Sequence, residues 1–173
     1  MKKNLMVLLL AACVAAACKQ TGSRSEKNRQ TALAAMHAFN SADLPEMKRL
    51  CAPGFVDYES GEDKPSRSLD SMKVSMDAFY GAFADMKVTD LHLFSSGDTV
   101  LITDMRSGTF KYPLMGIKPN GKSFNYPDAD ILVFNKDGLI LSHRAIQSNN
   151  TIFAQLGIDP TPGSSMPPGT KKK

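Results

Sequence analysis

The chain has few of the residues from which disulfide frameworks and zinc sites are built. Its 173 residues include three cysteines and three histidines. No CxxC, HExxH or clustered histidine pattern is present, so the sequence predicts neither a metal site nor a bound cofactor. We expect two of the three cysteines to be lipidated or removed, which leaves only Cys51 and excludes a disulfide framework.

Positive charge is not concentrated in the part of the chain that we expect to fold. The formal net charge is +4, but Lys2, Lys3 and the Lys171–Lys173 tail lie at the two ends. The middle of the chain is therefore close to neutral, and it lacks a basic stripe with interleaved aromatic residues. These features predict no nucleic-acid partner.

The longest apolar run, Leu5–Ala17, spans only 13 residues, whereas a membrane-spanning helix needs about 20. Two lysines precede the run, and small residues followed by cysteine end it. This pattern resembles bacterial lipoprotein signals, as an alternative to an ordinary cleaved signal peptide or an anchor helix. Both LAAC (10–13) and AAAC (15–18) fit the pattern. We favour lipidation of Cys18 because polar residues follow it directly, and Cys13 is the alternative.

A lipidated cysteine implies a chain attached to a membrane of the cell envelope, facing the periplasm or the exterior. The sequence does not distinguish an inner from an outer membrane. We expect a signal peptide at 1–17, a polar tether at 18–27, one domain at 28–157 and a disordered tail rich in proline and glycine at 158–173. Cys51 follows a helical pattern, which predicts a buried structural thiol.

The first half of the domain has helical periodicity. Leu33, Met36 and Phe39 predict one helix that ends near residue 40. Asp43 is a candidate N-cap for a short second helix through Leu50, with proline and glutamate in its first turn. A third helix, capped by Ser68, carries a methionine and aromatic stripe that we expect to face the core, formed by Met72, Met76, Phe79, Tyr80 and Phe83.

The second half has the alternation of β-strands. We expect strands at 88–94, 100–112, 124–134 and 139–146, with Asp137-Gly138 as the last tight turn, and a short helix from about 150 to 156. This order predicts an α+β fold in which three N-terminal helices pack on one face of a curved antiparallel sheet and a short C-terminal helix follows. A conical cavity is expected between the two layers.

An ordered string of short motifs resembles a known family. It runs through Gly108-Thr109, LMGIKPNGK (114–122), Asp130, NKDGLI (135–140), His143 and AQLG (154–157). These segments resemble the SnoaL-like polyketide cyclases of the NTF2-like superfamily. The resemblance covers about residues 28–157 and implies a cone-shaped α+β barrel with a pocket between helices and sheet.

The resemblance also implies chemistry and assembly. Asp130 and His143 match positions that carry catalytic polar groups in cyclase members. The resemblance therefore implies ester or polyketide cyclisation or isomerisation. The chain departs from the family pattern where Phe110 replaces a histidine, and it contains no tryptophan. Relatives of this fold often pair through the outer sheet face, so a homodimer is expected.

The two candidate catalytic residues lie on neighbouring strands, and the hairpin register decides whether they meet. A two-residue turn places Leu132 opposite His143 and Asp130 opposite Ala145. A four-residue loop places Asp130 directly opposite His143. Both registers keep the two side chains on one sheet face, whereas a three-residue loop with a bulge would separate them.

The face that carries Asp130 is mostly apolar, as ligand pockets are. An apolar wall should raise the pKa of Asp130 and suit it as a general base, while His143 or Tyr126 donates to a developing enolate. In the alternative interpretation, Asp130 forms a buried ion pair with His143 or Arg144. The candidate ligand-binding residues are Tyr58, Phe79, Phe83, Phe124, Tyr126, Asp128 and Leu132.

Two functions therefore remain open from the sequence. The first is an acid/base enzyme acting on a small apolar carbonyl compound. The second is a non-catalytic ligand-binding or dimerisation module displayed from the membrane. Asp57, which lies next to Tyr58 on the segment after the second helix, is a further candidate for the pocket mouth.

Overall fold

The computed structural model describes residues 24–58, 65–83, 85–114, 116–146 and 149–159. The predicted signal peptide, both candidate lipidation sites and almost all of the predicted tail lie outside these residues, so those expectations stay predictions. Within the described ranges, no helix combines the length and the apolar character that crossing a membrane requires.

The described residues form four helices. Two predicted caps are confirmed: the Asp43 carboxylate accepts from the backbone N–H of Glu46, and the Ser68 hydroxyl accepts from that of Ser71. Each cap satisfies a backbone donor that would otherwise lack a partner at the helix start. The helices are α1 (24–40), α2 (Leu44–Leu50), α3 (Leu69–Ala82) and α4 (Asn149–Leu156).

In the described part of the chain, five strands form one curved sheet in the order β1-β5-β4-β3-β2. The strands are β1 (Cys51–Tyr58), β2 (Lys87–Ser96), β3 (Thr99–Thr109), β4 (Ser123–Phe134) and β5 (Ile140–Ala145). Strand β1 pairs parallel to β5, and the other neighbours are antiparallel. The expectation of an antiparallel sheet was therefore wrong, because the sheet is mixed and β1 lies between the second and third helices.

The sequence pattern did not predict strand β1, because this strand is irregular. Its register with β5 shifts between Cys51 and Val56, and Gly54 has a φ of 81° within that stretch. Such a break interrupts the strict alternation by which strands are recognised. Cys51 is buried, as expected, but it is the first residue of this strand and not part of a helix.

The predicted end of β3 was also too late. The strand ends at Thr109, and the N–H groups of Lys111 and Tyr112 instead bond to the carbonyl of Ala82, the last residue of α3. These bonds satisfy backbone donors that do not pair within the sheet. They fix the end of α3 against the sheet.

The hairpin between β4 and β5 has a three-residue loop but keeps the register expected for a two-residue turn, so the expectation that a three-residue loop with a bulge would separate Asp130 from His143 was wrong. The Asn135 N–H bonds to the Leu139 carbonyl at 2.9 Å around a loop at 136–138. The register then shifts by one residue, which leaves Leu141 without a partner on β4. Because of this bulge, Leu132 pairs with His143, and the side chains of Asp130 and His143 lie on the same sheet face.

The buried face of β3 and β4 consists of three parts. At one end lies the main core, which includes Val100, Ile102, Leu132, Phe134 and Ile140. At the other end lies the aromatic cluster, which we define as Phe79, Phe83, Phe110, Leu114, Phe124, Tyr126, Ile152 and Leu156. Charged side chains separate these two apolar regions.

Candidate functional site

A band of six charged or titratable side chains crosses the buried face of the sheet. We call it the polar band and define it as Asp57, Asp104, Arg106, Asp128, Asp130 and His143. The residues come from β1, β3, β4 and β5, and strand alternation turns all of them to the same face. The register places Asp104 opposite Asp128, and Asp57 beside His143.

His143 lies between two carboxylates. Its Nδ1 is 2.6 Å from Asp57 Oδ1, and its Nε2 is 3.0 Å from Asp130 Oδ1. Burial favours the neutral imidazole, but the hydrogen bonds to Asp130 and Asp57 outweigh it and raise the pKa of His143 to about 10. At neutral pH His143 is therefore an imidazolium, and both of its N–H groups are donated within the polar band.

Arg106 connects Asp130, one of the two partners of His143, to the other carboxylates of β3 and β4. Its Nη2 lies 2.8 Å from Asp130 Oδ2, and its Nε lies 2.8 Å from Asp128 Oδ2 and 3.2 Å from Asp104 Oδ1. One guanidinium thus faces three carboxylates from two strands. This planar arrangement suits arginine better than lysine, because the guanidinium presents several donors in one plane.

The pKa of Asp130 does not move in the direction that the sequence suggested. Burial raises it, but the hydrogen bond and charge of His143, together with Arg106, outweigh burial and hold the pKa below its ordinary value. The expectation of a raised pKa was wrong because it considered the apolar wall without Arg106. Asp130 does pair with His143, whereas Arg144 stacks over the Tyr58 ring at 4.6 Å.

The other two carboxylates beside Arg106 shift the opposite way. Burial raises the pKa of both Asp104 and Asp128 and exceeds the effect of the single guanidinium that they share. The polar band holds four carboxylates and two cations. Protonation of Asp104 or Asp128 therefore reduces the net negative charge of the band. Carboxylates with oppositely shifted pKa values can serve as base and acid in one site.

Most of the predicted ligand-binding residues lie on the buried side. Phe79, Phe83, Phe124 and Tyr126 belong to the aromatic cluster. Within it, Phe83 and Phe124 meet edge to face with ring centroids 5.1 Å apart. The ligand-binding role of all these residues stays a prediction.

The remaining predicted residues are distributed differently. Asp128 belongs to the polar band, and Leu132 is buried in the main core. Tyr58 follows the inward-facing Asp57 and so lies on the opposite sheet face, away from the other predicted residues. The structure thus brings Asp128 together with Asp130 and His143, and it separates Tyr58 from them.

Arg106 and Asp104 are functional candidates that the sequence motifs did not indicate. The available signal was the alternation of β3, in which Ile102, Asp104 and Arg106 share a face. Asp57 was expected at a pocket mouth, but its side chain is only 2% exposed and bonds to His143. Its partner could not be found without the parallel pairing of β1 and β5.

Comparisons with known proteins agree with this architecture. The family model of the SnoaL-like polyketide cyclases matches residues 29–156. A candidate SnoaL-like polyketide cyclase from Jannaschia sp. CCS1 superimposes with a TM-score of 0.68 at 16% identity, covering 79% of this chain and 95% of that one. No curated protein matches the sequence.

Two proteins from Streptomyces are also similar. IdmH of Streptomyces antibioticus, a candidate polyketide cyclase, has a TM-score of 0.61 and 28% identity over 76% of this chain and 99% of its own. AclR of Streptomyces galilaeus, a candidate hydroxylase, has a TM-score of 0.64 and 24% identity over 79% of this chain and 84% of its own. The family match spans most of the chain, and the chain belongs to the SnoaL-like polyketide cyclase family.

Proposed function

We propose that this protein binds a small apolar carbonyl compound beside the polar band and that Asp130 acts on it as a general base. The observation that carries the proposal is the placement of Asp130 between His143 and Arg106, on the same buried sheet face as the aromatic cluster. Its side chain is 12% exposed, compared with 2%, 1% and 6% for Asp57, Asp104 and Asp128. Of these four carboxylates, Asp130 is the one that a ligand reaches most readily.

The reaction class follows from the charge state of Asp130. Two cations hold the carboxylate ionised at neutral pH, so it can accept a proton from a carbon next to a carbonyl group. The C–H electron pair then forms a double bond to the carbonyl carbon, and the π electron pair of the carbonyl group moves onto the oxygen, which gives an enolate. A carboxylate with a lowered pKa is a weak base, which favours a carbon acid activated by two carbonyl groups. Cyclisation and isomerisation both begin with this step.

A model substrate tests the proposal directly. The full chain in detergent should accelerate deuterium exchange at the carbon between the two carbonyl groups of ethyl benzoylacetate, followed by proton NMR in D₂O. Asp130→Asn should reduce the accelerated rate by about 100-fold or more. Asp137→Asn, in the exposed β4–β5 loop, is the control and should retain it. Full activity in Asp130→Asn would contradict the proposal.

One observation favours the non-catalytic alternative. Both nitrogens of His143 and both oxygens of Asp130 already have partners inside the polar band. If Asp130 is only such a structural partner, the wild-type chain will bind ethyl benzoylacetate in a calorimeter without accelerating exchange. Asp130→Asn will then lower the free energy of unfolding by several kcal/mol, as expected when a buried charge loses its partner.

Membrane attachment belongs to the same proposal. The sequence supports a thioether-linked lipid on Cys18, with Cys13 as the alternative. Labelled palmitate should enter the chain in cells, and Cys18→Ala should lose the label and leave the membrane fraction, while Cys13→Ala keeps both. The reverse pattern would assign the lipid to Cys13. Labelling that persists in both single variants and in the double variant would contradict the anchor.

A homodimer through the outer sheet face completes the proposal. Five outward residues form one row across all five strands, and Phe94 within it is 58% exposed. The row consists of Tyr58, Arg144, Ile131, Leu101 and Phe94. Sedimentation of a chain with Phe94→Lys should show a shift from dimer to monomer, and a wild-type monomer would contradict the assembly.

A further inference from the structure

The Arg106 guanidinium has donors that the polar band does not use. An arginine carries five N–H groups, of which two lie on Nη1. Among the described residues, every hydrogen bond and shortest ion-pair contact of Arg106 starts from Nε or Nη2, and none starts from Nη1. Three neighbouring carboxylates therefore leave one edge of the guanidinium without an acceptor.

The side chain that carries this free edge is partly exposed. Nη1 has no hydrogen-bond partner among the described residues, and the Arg106 side chain is 15% exposed. A cation that three carboxylates hold in place therefore keeps two donors for an acceptor on a ligand.

The position of this edge matches the proposed chemistry. Nη1 and Nη2 are bonded to the same carbon, and Nη2 lies 2.8 Å from Asp130 Oδ2. On the adjacent strand Arg106 pairs with Tyr126, a member of the aromatic cluster. A carbonyl compound held against that cluster has its oxygen only two bonds from the carbon whose proton Asp130 would take. The base and the free donors are therefore close enough to act on the same ligand.

We infer that Arg106 Nη1 donates to the carbonyl oxygen of the ligand and stabilises the negative charge that develops there when Asp130 removes the α-proton. This inference rests on the proposed function and adds the group that recognises the ligand. The proton moves from the α-carbon to Asp130, the C–H electron pair becomes the enolate double bond, and the charge arrives on the oxygen that faces Arg106. Donors that are held in place before the charge develops are the most effective ones.

Two probes of the same shape test the recognition. Acetophenone and α-methylstyrene differ by a carbonyl oxygen in place of a methylene group, and only acetophenone can accept a hydrogen bond from Nη1. By calorimetry, the wild-type chain should bind acetophenone about 10-fold more tightly or better, because a donor left without an acceptor loses a hydrogen bond. The ¹⁵Nη signals of Arg106 should shift with acetophenone and not with α-methylstyrene. Equal affinities and equal shifts would overturn the inference.

A conservative variant tests the catalytic part. Arg106→Lys keeps the positive charge that faces the three carboxylates and removes the fork of donors. It should lower kcat for exchange of ethyl benzoylacetate by about 100-fold, as loss of an oxyanion donor does, and it should abolish the preference for acetophenone. Arg49→Lys, on the exposed surface of α2, is the control. An Arg106→Lys chain that folds and keeps both properties would overturn the inference.

The two proposals fail in different ways. If the proposed function is wrong, the wild-type chain shows no exchange whatever its preference between the two probes. If only the role of Arg106 is wrong, exchange still depends on Asp130, while the preference for acetophenone is absent from the wild type. The NMR and binding measurements on the wild type remain decisive even if Arg106→Lys does not fold.

Discussion

The polar band and the aromatic cluster are built on the same two strands and the same sheet face. In the band, Asp104 on β3 faces Asp128 on β4, and Gly108 faces Phe124 two inward-facing pairs further along. Burying an aromatic ring stabilises a fold by about 1.5–3 kcal/mol. Burying charges costs desolvation energy that their attraction only offsets in part. Stability alone therefore explains the aromatic cluster and does not explain the polar band.

The largest expected effect comes from removing one cation of the band. His143→Ala leaves Asp57 and Asp130 buried without their shared partner, and the free energy of unfolding should fall by about 3–5 kcal/mol. Urea unfolding followed by circular dichroism measures the loss. His37→Ala, on the exposed side of α1, should change it by no more than about 0.5 kcal/mol. Equal losses in the two variants would remove the distinction between the band and the surface.

A second prediction concerns pH. The pKa of His143 is raised from 6.5 to about 10, so its contribution to stability is complete below pH 6.5 and is lost as the pH rises toward 10. Between pH 6.5 and 9 the free energy of unfolding should fall by about 3 kcal/mol. Asp130, whose pKa is lowered, contributes above the pKa of the unfolded chain and loses its contribution in acid. A stability curve that stays flat from pH 6.5 to 9 would show that His143 is not held as an imidazolium.

The aromatic cluster should respond to shape and not to pH. A Cβ added at Gly108 would lie 3.1 Å from two atoms of the Phe124 ring, so Gly108→Ala should destabilise the fold by about 1–3 kcal/mol. The same substitution at Gly81, in α3, meets nothing within 4 Å and should be neutral or slightly stabilising. Thermal unfolding compares the two variants. If both behave alike, the packing of this end of the sheet is looser than the Phe124 contact indicates.

Local signals in the sequence predicted much of this fold. The capping pattern at Asp43 and the alternation from 124 to 134 depend on neighbouring residues, and both agree with the structure. The pairing of Asp57 with His143 could not be predicted in the same way. It joins residues 86 positions apart through a parallel pair that begins in an irregular strand.

The candidate site shows the same limit. The alternation of two neighbouring strands placed Asp130 and His143 on one face in two of the hairpin registers considered, and their contact at 3.0 Å agrees with that geometry. The predicted direction of the pKa shift of Asp130 was wrong because the shift also depends on Arg106, which reaches the site from a different strand. Strand alternation gives the face of a residue, whereas the balance of charges depends on every strand that contributes to that face.

The smallest expected effect on stability concerns an aspartate exposed to water, in contrast to the buried aspartates of the band. The exposed Asp43 accepts a hydrogen bond from the Glu46 N–H at the start of α2. Asp43→Ala should cost about 1 kcal/mol in urea unfolding, whereas Asp43→Asn keeps an acceptor and should cost much less. The reason is that water solvates this carboxylate, so the bond matters more than the charge. Equal losses in the two variants would instead assign the effect to the charge near the helix start.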